Sequence, residues 1–186
     1  MRELGIGLIG TGFMGKTHAL AFGSLKAIMG DVPTPRLELL CDTPLDKARE
    51  MAAQFGFSRT TDDWKALVTD PRVDIVSITT PNHLHHEMAL AAIAAGKHVY
   101  CEKPLSLTVG QAQEMADAAV KSGVKTMVGY NYIKNPAFTH AQRLIAEGAI
   151  GDIVHFRGWV DEDYQADPDL TWSWRAKISD AGLGAL

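Results

Sequence analysis

Leu4-Gly-Ile-Gly-Leu-Ile-Gly-Thr-Gly-Phe-Met-Gly15 decides how the rest of this chain is read. Leu4 to Ile9 is a short apolar run, the pattern of a strand buried on both faces. It runs into Gly10-Thr11-Gly12-Phe13-Met14-Gly15, a G-x-G-x-x-G. Beyond the turn, Met14, Ala21, Phe22, Leu25 and Met29 recur at helical steps, which predicts a helix with that apolar face. Strand, glycine turn and helix together are the context a dinucleotide-binding turn requires; an ordinary strand-to-helix turn is the alternative. Gly10 permits the tight turn, Gly12 lets backbone approach a pyrophosphate, and Gly15 lets the helix pack close to the strand. The helix N-terminus adds unpaired N–H groups and a partial positive charge.

The next strand reads as Arg36 to Asp42, after a turn-rich Gly30–Pro35 connection. An acid closing that strand accepts hydrogen bonds from adenosine ribose hydroxyls and repels a 2′-phosphate. Asp42 follows Gly10 by 32 residues, longer than the usual spacing of about 20, and the 31–35 loop accounts for the excess. Thr43 comes next and no Arg follows until Arg49, so NAD is expected, with NADP as the alternative. The competing reading of Asp42 is a cap for a helix beginning near Pro44.

Outward from there, helices are expected at Pro44–Phe55, after an Asp62 cap over Trp64–Val68, at Leu84–Ala95 and from Thr108 to near Gly123. Further strands are expected at Val73–Thr79, Lys97–Cys101 and Thr126–Tyr132. Repeating βα units predict an α/β fold of the doubly wound (Rossmann) kind, a parallel sheet with helices on both faces. Past Tyr132 the pattern changes: a helix at Pro136–Glu147, a half-exposed strand at Asp152–Val160, and a polar, aromatic tail with Tyr164, Trp172 and Trp174. One strand and one helix make no stable sheet, so two domains are expected, 1–133 and the beginning of another at 134–186.

Composition bounds the function. The 186 residues are 46% apolar and 22% charged, with a formal net charge of −4 and no basic run, which argues against nucleic acid and anionic membranes as partners. No stretch reaches the roughly eighteen apolar residues of a spanning helix, and no signal peptide is read at the start, so a cytoplasmic protein is expected. Cys41 and Cys101 fall at strand ends outside any C-x-x-C and read as buried, reduced thiols.

Two polar segments end the predicted strands where ligands bind in doubly wound sheets: Thr79-Thr80-Pro81-Asn82-His83 and Glu102-Lys103-Pro104. Lys103 is the catalytic candidate, because a neighbouring oxidised nicotinamide and loss of water both favour the neutral amine that can take a proton. Pro104 restricts Lys103 and makes a cis bond accessible. Glu102 is read as orienting the amine or meeting the ribose; a solvated loop lysine is the alternative for Lys103. His83, His85 and His86 with Glu87 raise a metal site, but His85 points away from the other two and no second cluster lies at ligand spacing, so no metal is expected. His85 is read instead as lining the nicotinamide pocket, and His18 and His140 as ordinary helix residues.

Ile9–Gly15, Thr80-Pro-Asn-His-Leu-His-His86, Gly96-Lys-His-Val-Tyr-Cys-Glu-Lys-Pro104 and Gly129-Tyr-Asn131 together resemble the Gfo/Idh/MocA oxidoreductases. The resemblance implies an N-terminal Rossmann domain, then an α/β domain with a mostly antiparallel sheet through which subunits form a homo-oligomer. It implies hydride transfer between NAD(P) and a sugar, inositol or polyol carbon, with Lys103 catalytic. NAD-dependent glycoside hydrolysis and a non-catalytic NAD sensor are the alternatives on the same fold. Thr80, Asn82 and His85 are then cofactor contacts and Asn131 lies near the nicotinamide. Trp174-Arg175 resembles a Trp-Arg pair preceding the active-site helix. With Gly10, Thr11, Gly12, Phe13, Met14, Gly15, Asp42, Thr79, Pro81, Glu102 and Lys103, these make up the expected cofactor site. The family's remaining Asp and His, four residues apart, follow a Gly-rich segment that resembles Gly182–Leu186, and are therefore expected beyond residue 186.

Overall fold

A computed structural model describes residues 3–161, 163, 166–171 and 173–182. Tyr164, Trp172 and all but the first residue of the Gly182–Leu186 segment lie outside the described residues. The described residues form two compact units, one of residues up to Gly129 together with 174–182, the other of 130–173.

The first unit is built on a six-stranded parallel sheet: β1 (Glu3–Ile9), β2 (Thr34–Cys41), β3 (Arg59–Thr61), β4 (Ile75–Ile78), β5 (His98–Cys101) and β6 (Thr126–Val128). The spatial order is β3-β2-β1-β4-β5-β6, the doubly wound arrangement whose direction reverses between β1 and β4. Helices α1 (Phe13–Met29), α2 (Leu45–Phe55), α3 (Trp64–Thr69), α4 (His85–Ala94) and α5 (Val109–Ser122) connect the strands.

Strand alternation sorts the core into two layers. Leu8 and Leu40 pack with Ala19 of α1 and Ala48, Met51 and Ala52 of α2. Ile9, Leu39, Cys41, Val76, Ile78, Val99 and Cys101 pack with residues of α3, α4 and α5 on the opposite face. β1 and β2 are therefore covered on both faces, which is why β1 reads as a continuous apolar run. Glu38 is the buried charge of β2, and Arg36, Arg59 and Arg72 all pair with it.

Several local expectations need correction. The buried face of α1 is Gly15 with His18 and Ala19, three and four residues further on and on the side that faces the sheet, whereas Ala21 and Met29 are exposed. Asp63, not Asp62, caps α3 by accepting from Lys65 N at 2.8 Å. The short edge strand β3 has too few residues to show a period and is missed by sequence pattern. β6 stops at Val128, and Asn131–Lys134 is a 3-10 turn rather than more strand.

In the second unit, Asn135 caps α6 (Pro136–Ala146) through Ala137 N. The expected strand at 152–160 does not form a ladder: these residues are exposed and pair with no strand among the described residues. Alternation marks a sequence that can be a strand, but backbone pairing needs a neighbour. After the excursion the chain adds a 3-10 turn at Trp174–Ala176 and a short helix, α7 (Ile178–Ala181), to the first unit.

Candidate functional site

The carboxyl ends of β2, β1, β4 and β5 deliver Asp42, Gly10–Gly15, Thr79–Asn82 and Glu102–Pro104 to one edge of the sheet, around the point where strand order reverses. Open α/β sheets bind ligands at that edge.

The glycine turn is fixed by packing on three sides. Gly10 has φ +104° and donates to Cys41 O at 2.9 Å. The Thr79 hydroxyl donates to Ile9 O at 2.9 Å and lies 3.1 Å from Gly10 O. A Cβ on Gly15 would overlap the Gly10 carbonyl oxygen and lie 3.0 Å from its carbon, so this glycine sets how closely α1 approaches β1. Gly12 differs: a Cβ there would meet nothing within 4 Å. It is the N-cap of α1 and makes no side-chain cap, and no acid stands in the helix's first turn. The orphan N–H groups and positive end of a 17-residue helix therefore face open space.

Asp42 braces the same turn. Its Oδ2 accepts from Thr11 N at 2.8 Å and from the Thr11 hydroxyl, and its Oδ1 accepts from Thr43 N at 2.6 Å. A carboxylate offers about four acceptor positions, so one remains for a further donor. The N-cap of α2 is Pro44, without a side-chain cap, so Asp42 does not play the capping role.

At the end of β4 the expected residues divide. Thr79 turns inward to the glycine turn, and the Thr80 hydroxyl faces Met88 Sδ at 3.7 Å. Pro81 precedes a 3-10 turn, Asn82–Leu84. Asn82 is buried and donates Nδ2 to Ala181 O at 2.8 Å, which anchors α7. His85 is fully buried, with Nδ1 2.9 Å from Pro104 O and Nε2 2.9 Å from Thr80 O. Neutral imidazole donates from one nitrogen only, so both contacts become hydrogen bonds only in the cation. His85 thus ties the β4 and β5 loops together beneath the edge, where sequence reading places it in the pocket itself. His83 is exposed and His86 pairs with Glu114 at 2.8 Å, so the three histidines diverge. Among the described residues no group of three His, Cys, Asp or Glu side chains converges to hold a metal.

At the end of β5 the neighbours point opposite ways. Lys103 is exposed and its amine has no partner among the described residues; the Lys103–Pro104 bond is cis. Glu102 is 5% exposed and turns under the sheet edge to His18 Nε2 at 3.0 Å. His18, which sequence reading treats as an ordinary helix residue, is buried: its Nδ1 lies 2.8 Å from Ser77 Oγ, and its ring stacks on Tyr100 at 4.6 Å. The burial that holds Glu102 also pushes Tyr100 up, with the Glu102 charge adding to it. Burial is likewise the main cause pushing both thiols up to about 12, with Asp42 adding to it at Cys41 and Glu102 at Cys101. Ser77 was the available signal, a hydroxyl within the apolar run Ile75-Val-Ser-Ile78 that must find a partner on its face.

Trp174 is half-buried in the returning segment, and the Arg175 guanidinium lies 4.6 Å from its ring centre. Asn131 is exposed and belongs to the second unit.

Over residues 4–130 the chain matches the Gfo/Idh/MocA family, described as an oxidoreductase family with an NAD-binding Rossmann fold. It is 44% identical over its whole length to a levoglucosan dehydrogenase of Pseudarthrobacter phenanthrenivorans, and covers 48% of that protein. An inositol 2-dehydrogenase/D-chiro-inositol 3-dehydrogenase of Lactiplantibacillus plantarum is 32% identical over 89% of this chain and 47% of its own. A solved levoglucosan dehydrogenase in complex with NADH and L-sorbose superimposes with a TM-score of 0.95 at 43% identity, over 99% of this chain and 50% of that one. The chain spans about half the length of the curated relatives it matches. The chain belongs to the Gfo/Idh/MocA oxidoreductase family.

Proposed function

We propose that this chain is the cofactor-binding part of an NAD-dependent dehydrogenase that oxidises a secondary hydroxyl of a sugar, inositol or related polyol. The observation that carries the reading is the contrast within the glycine turn: Gly15 is filled by packing, while Gly12 and the uncapped end of α1 face open space. A pyrophosphate matches that end in charge and hydrogen-bond demand. The free acceptor position of Asp42 suits a ribose hydroxyl, and Asp42 pairs with no Lys or Arg among the described residues that would hold a 2′-phosphate, so NAD is favoured over NADP.

NAD supplies the hydride acceptor when bound; the chain's residues supply placement and proton handling. Oxidising CH–OH to C=O releases the hydroxyl proton as well as the hydride. The Lys103 amine, exposed at the sheet edge, is the group assigned to that proton. Thr79 and Asp42 hold the glycine turn in shape, and Trp174 and Arg175 border the site from the returning segment. The second unit, 130–173, begins the domain that supplies the substrate pocket and the subunit contacts, through an antiparallel sheet. The relatives named for levoglucosan and for inositols support a cyclic polyol as substrate class. No helix is long and apolar enough to cross a membrane among the described residues, and the reading places the enzyme in the cytoplasm.

The test is calorimetric titration with NAD and NADP, followed by NADH formation by the complete enzyme across a panel of sugars, anhydrosugars and inositols. Lys103→Ala is then expected to lose turnover by about 100-fold or more while keeping NAD affinity. Unchanged turnover ends the role of Lys103. Tightly retained cofactor with glycoside cleavage and no net NADH would replace the dehydrogenase reading by a hydrolytic one.

A further inference from the structure

The turn that presents Lys103 is held from beneath by a chain of buried groups that the proposed function leaves without a task. β4 and β5 pair with Ser77 opposite Tyr100, and strand alternation places Glu102 on the same face as Tyr100. Helix α1 lies on that face, and His18 reaches all three: Ser77 Oγ at 2.8 Å, Glu102 Oε1 at 3.0 Å, and the Tyr100 ring by stacking. The second carboxylate oxygen, Oε2, accepts from Lys103 N at 3.2 Å. Space for the carboxylate is kept by Gly129, where a Cβ would overlap Oε1 and lie 2.8 Å from the carboxyl carbon.

Serine, histidine and glutamate in hydrogen-bonded series match a hydrolytic triad in composition. Ser77 is 0% exposed, however, and no substrate carbonyl reaches it. The connectivity fits a strut instead. A neutral His18 that accepts from the Ser77 hydroxyl at Nδ1 and donates from Nε2 to Glu102 satisfies every group in the series. The same helix offers its N-terminus to the open space over Gly12, and His18 lies five residues beyond Phe13, about 7.5 Å along the axis.

We propose that His18 is a positioning residue for Lys103: through Glu102 it fixes the Glu102–Pro104 turn relative to α1, so that one rigid helix sets both the phosphate site and the height of the amine above it. The inference rests on the proposed role of Lys103, and its first test does not depend on that role.

That test is amide hydrogen exchange on the full chain, comparing wild type, His18→Phe and His18→Gln. Phenylalanine keeps the ring against Tyr100 and removes both hydrogen bonds; glutamine restores a donor towards Glu102. His18→Phe is expected to speed exchange over residues 102–107 by about tenfold or more, with β1 to β3 unchanged, and His18→Gln to recover most of the protection. Equal protection of residues 102–107 in the phenylalanine variant overturns the proposal. So does a loss of protection spread evenly over the unit, which marks an ordinary core residue. Should His18→Phe not fold, adding Glu102→Gln removes the unpaired buried charge, and the same comparison decides.

The second readout is kinetic, on the sugar or polyol the wild type oxidises best. His18→Phe is expected to lower kcat about tenfold or more, with KM and the NAD dissociation constant within about threefold and partial rescue by glutamine. NAD affinity falling in step with kcat overturns the assignment. A wild type that binds no NAD ends the dehydrogenase reading, while the exchange experiment still judges His18.

Discussion

The glycine turn makes its most discriminating prediction through two substitutions that look alike in sequence. Gly15→Ala places a methyl group inside the van der Waals envelope of the Gly10 carbonyl oxygen and 3.2 Å from Thr79 Oγ1. Neither neighbour is the free end of a flexible side chain: one is backbone in a turn with φ +104°, the other is tied to Ile9 O. α1 must move outward, disturbing the contacts of Ala19 and His18, and overpacking of this kind costs about 1–3 kcal/mol. For a chain of this size that lowers Tm by roughly 2–12 °C. Gly12→Ala meets nothing within 4 Å, and its φ of −65° and ψ of −172° suit alanine, so Tm is expected to stay within about 2 °C. Its effect falls on the ligand. A Cβ there occupies space that a pyrophosphate needs to reach the α1 amides, and losing one charge-assisted hydrogen bond of about 1.5–3 kcal/mol weakens NAD by roughly 10- to 150-fold. Calorimetry with NAD and a thermal melt of each variant suffice. Undiminished NAD affinity in Gly12→Ala refutes the placement of the phosphates, and an undisturbed melt of Gly15→Ala refutes the packing argument.

Three more predictions concern other parts of the fold. Arg59 donates to Asp70 at 2.6 Å and holds its carboxyl down to about 2. A depressed carboxylate stabilises the fold above its unfolded value and loses that contribution as pH falls from about 4 through 2, so Asp70→Asn should cost about 1–2 kcal/mol in urea unfolding at pH 7 and only a small fraction of that at pH 2. A pH-independent difference would remove the ion pair from the account. Cys41 and Cys101, both buried and pushed up to about 12, should resist a disulfide reagent at pH 8 for hours and react fully in guanidinium; labelling of the native protein within minutes contradicts this. Asn82→Ala removes the donor to Ala181 O, at about 1 kcal/mol, and should expose the 174–182 segment to limited proteolysis, whereas an unchanged cleavage pattern would show that α7 is held by other contacts.

Much of the fold is readable from sequence because its signals are local. The apolar run of β1, the glycine turn, the Thr108 cap of α5 and the Gly96 and Gly123 stops each lie within a few residues of what they determine. The parallel sheet follows from the βα repeat alone. The failures have the opposite character. β3 exists because Leu39–Cys41 of β2 offers an unpaired edge, a demand set about twenty positions away. The alternating segment 152–160 meets no such edge among the described residues, so the same kind of pattern yields no strand.

The site divides along the same line, with a bias peculiar to strand ends. Polar residues after a buried strand read as ligand contacts, because water or a ligand is the obvious partner for a polar group. Here Glu102, Asn82, His85 and Thr79 spend their hydrogen bonds inward, on His18, Ala181, the Thr80 and Pro104 carbonyls and the glycine turn. Their partners lie 84, 99, 5 and 19, and 70 positions away, mostly beyond the reach of any window. The amine of Lys103, which stands between Glu102 and a Pro104 whose carbonyl faces His85, has no partner among the described residues. That contrast gives the amine its meaning. A turn flanked by the Glu102 side chain bonded to His18 and the Pro104 carbonyl facing His85 has few conformations left, and a lysine carried on it is placed by the scaffold. The four residues keep a place in the functional account through the contacts they make within the fold. Glu102 and His85 supply the rigidity that the role proposed for the Lys103 amine requires, and substituting them should show first in rate, whereas Thr79, tied to the glycine turn, should show in cofactor affinity.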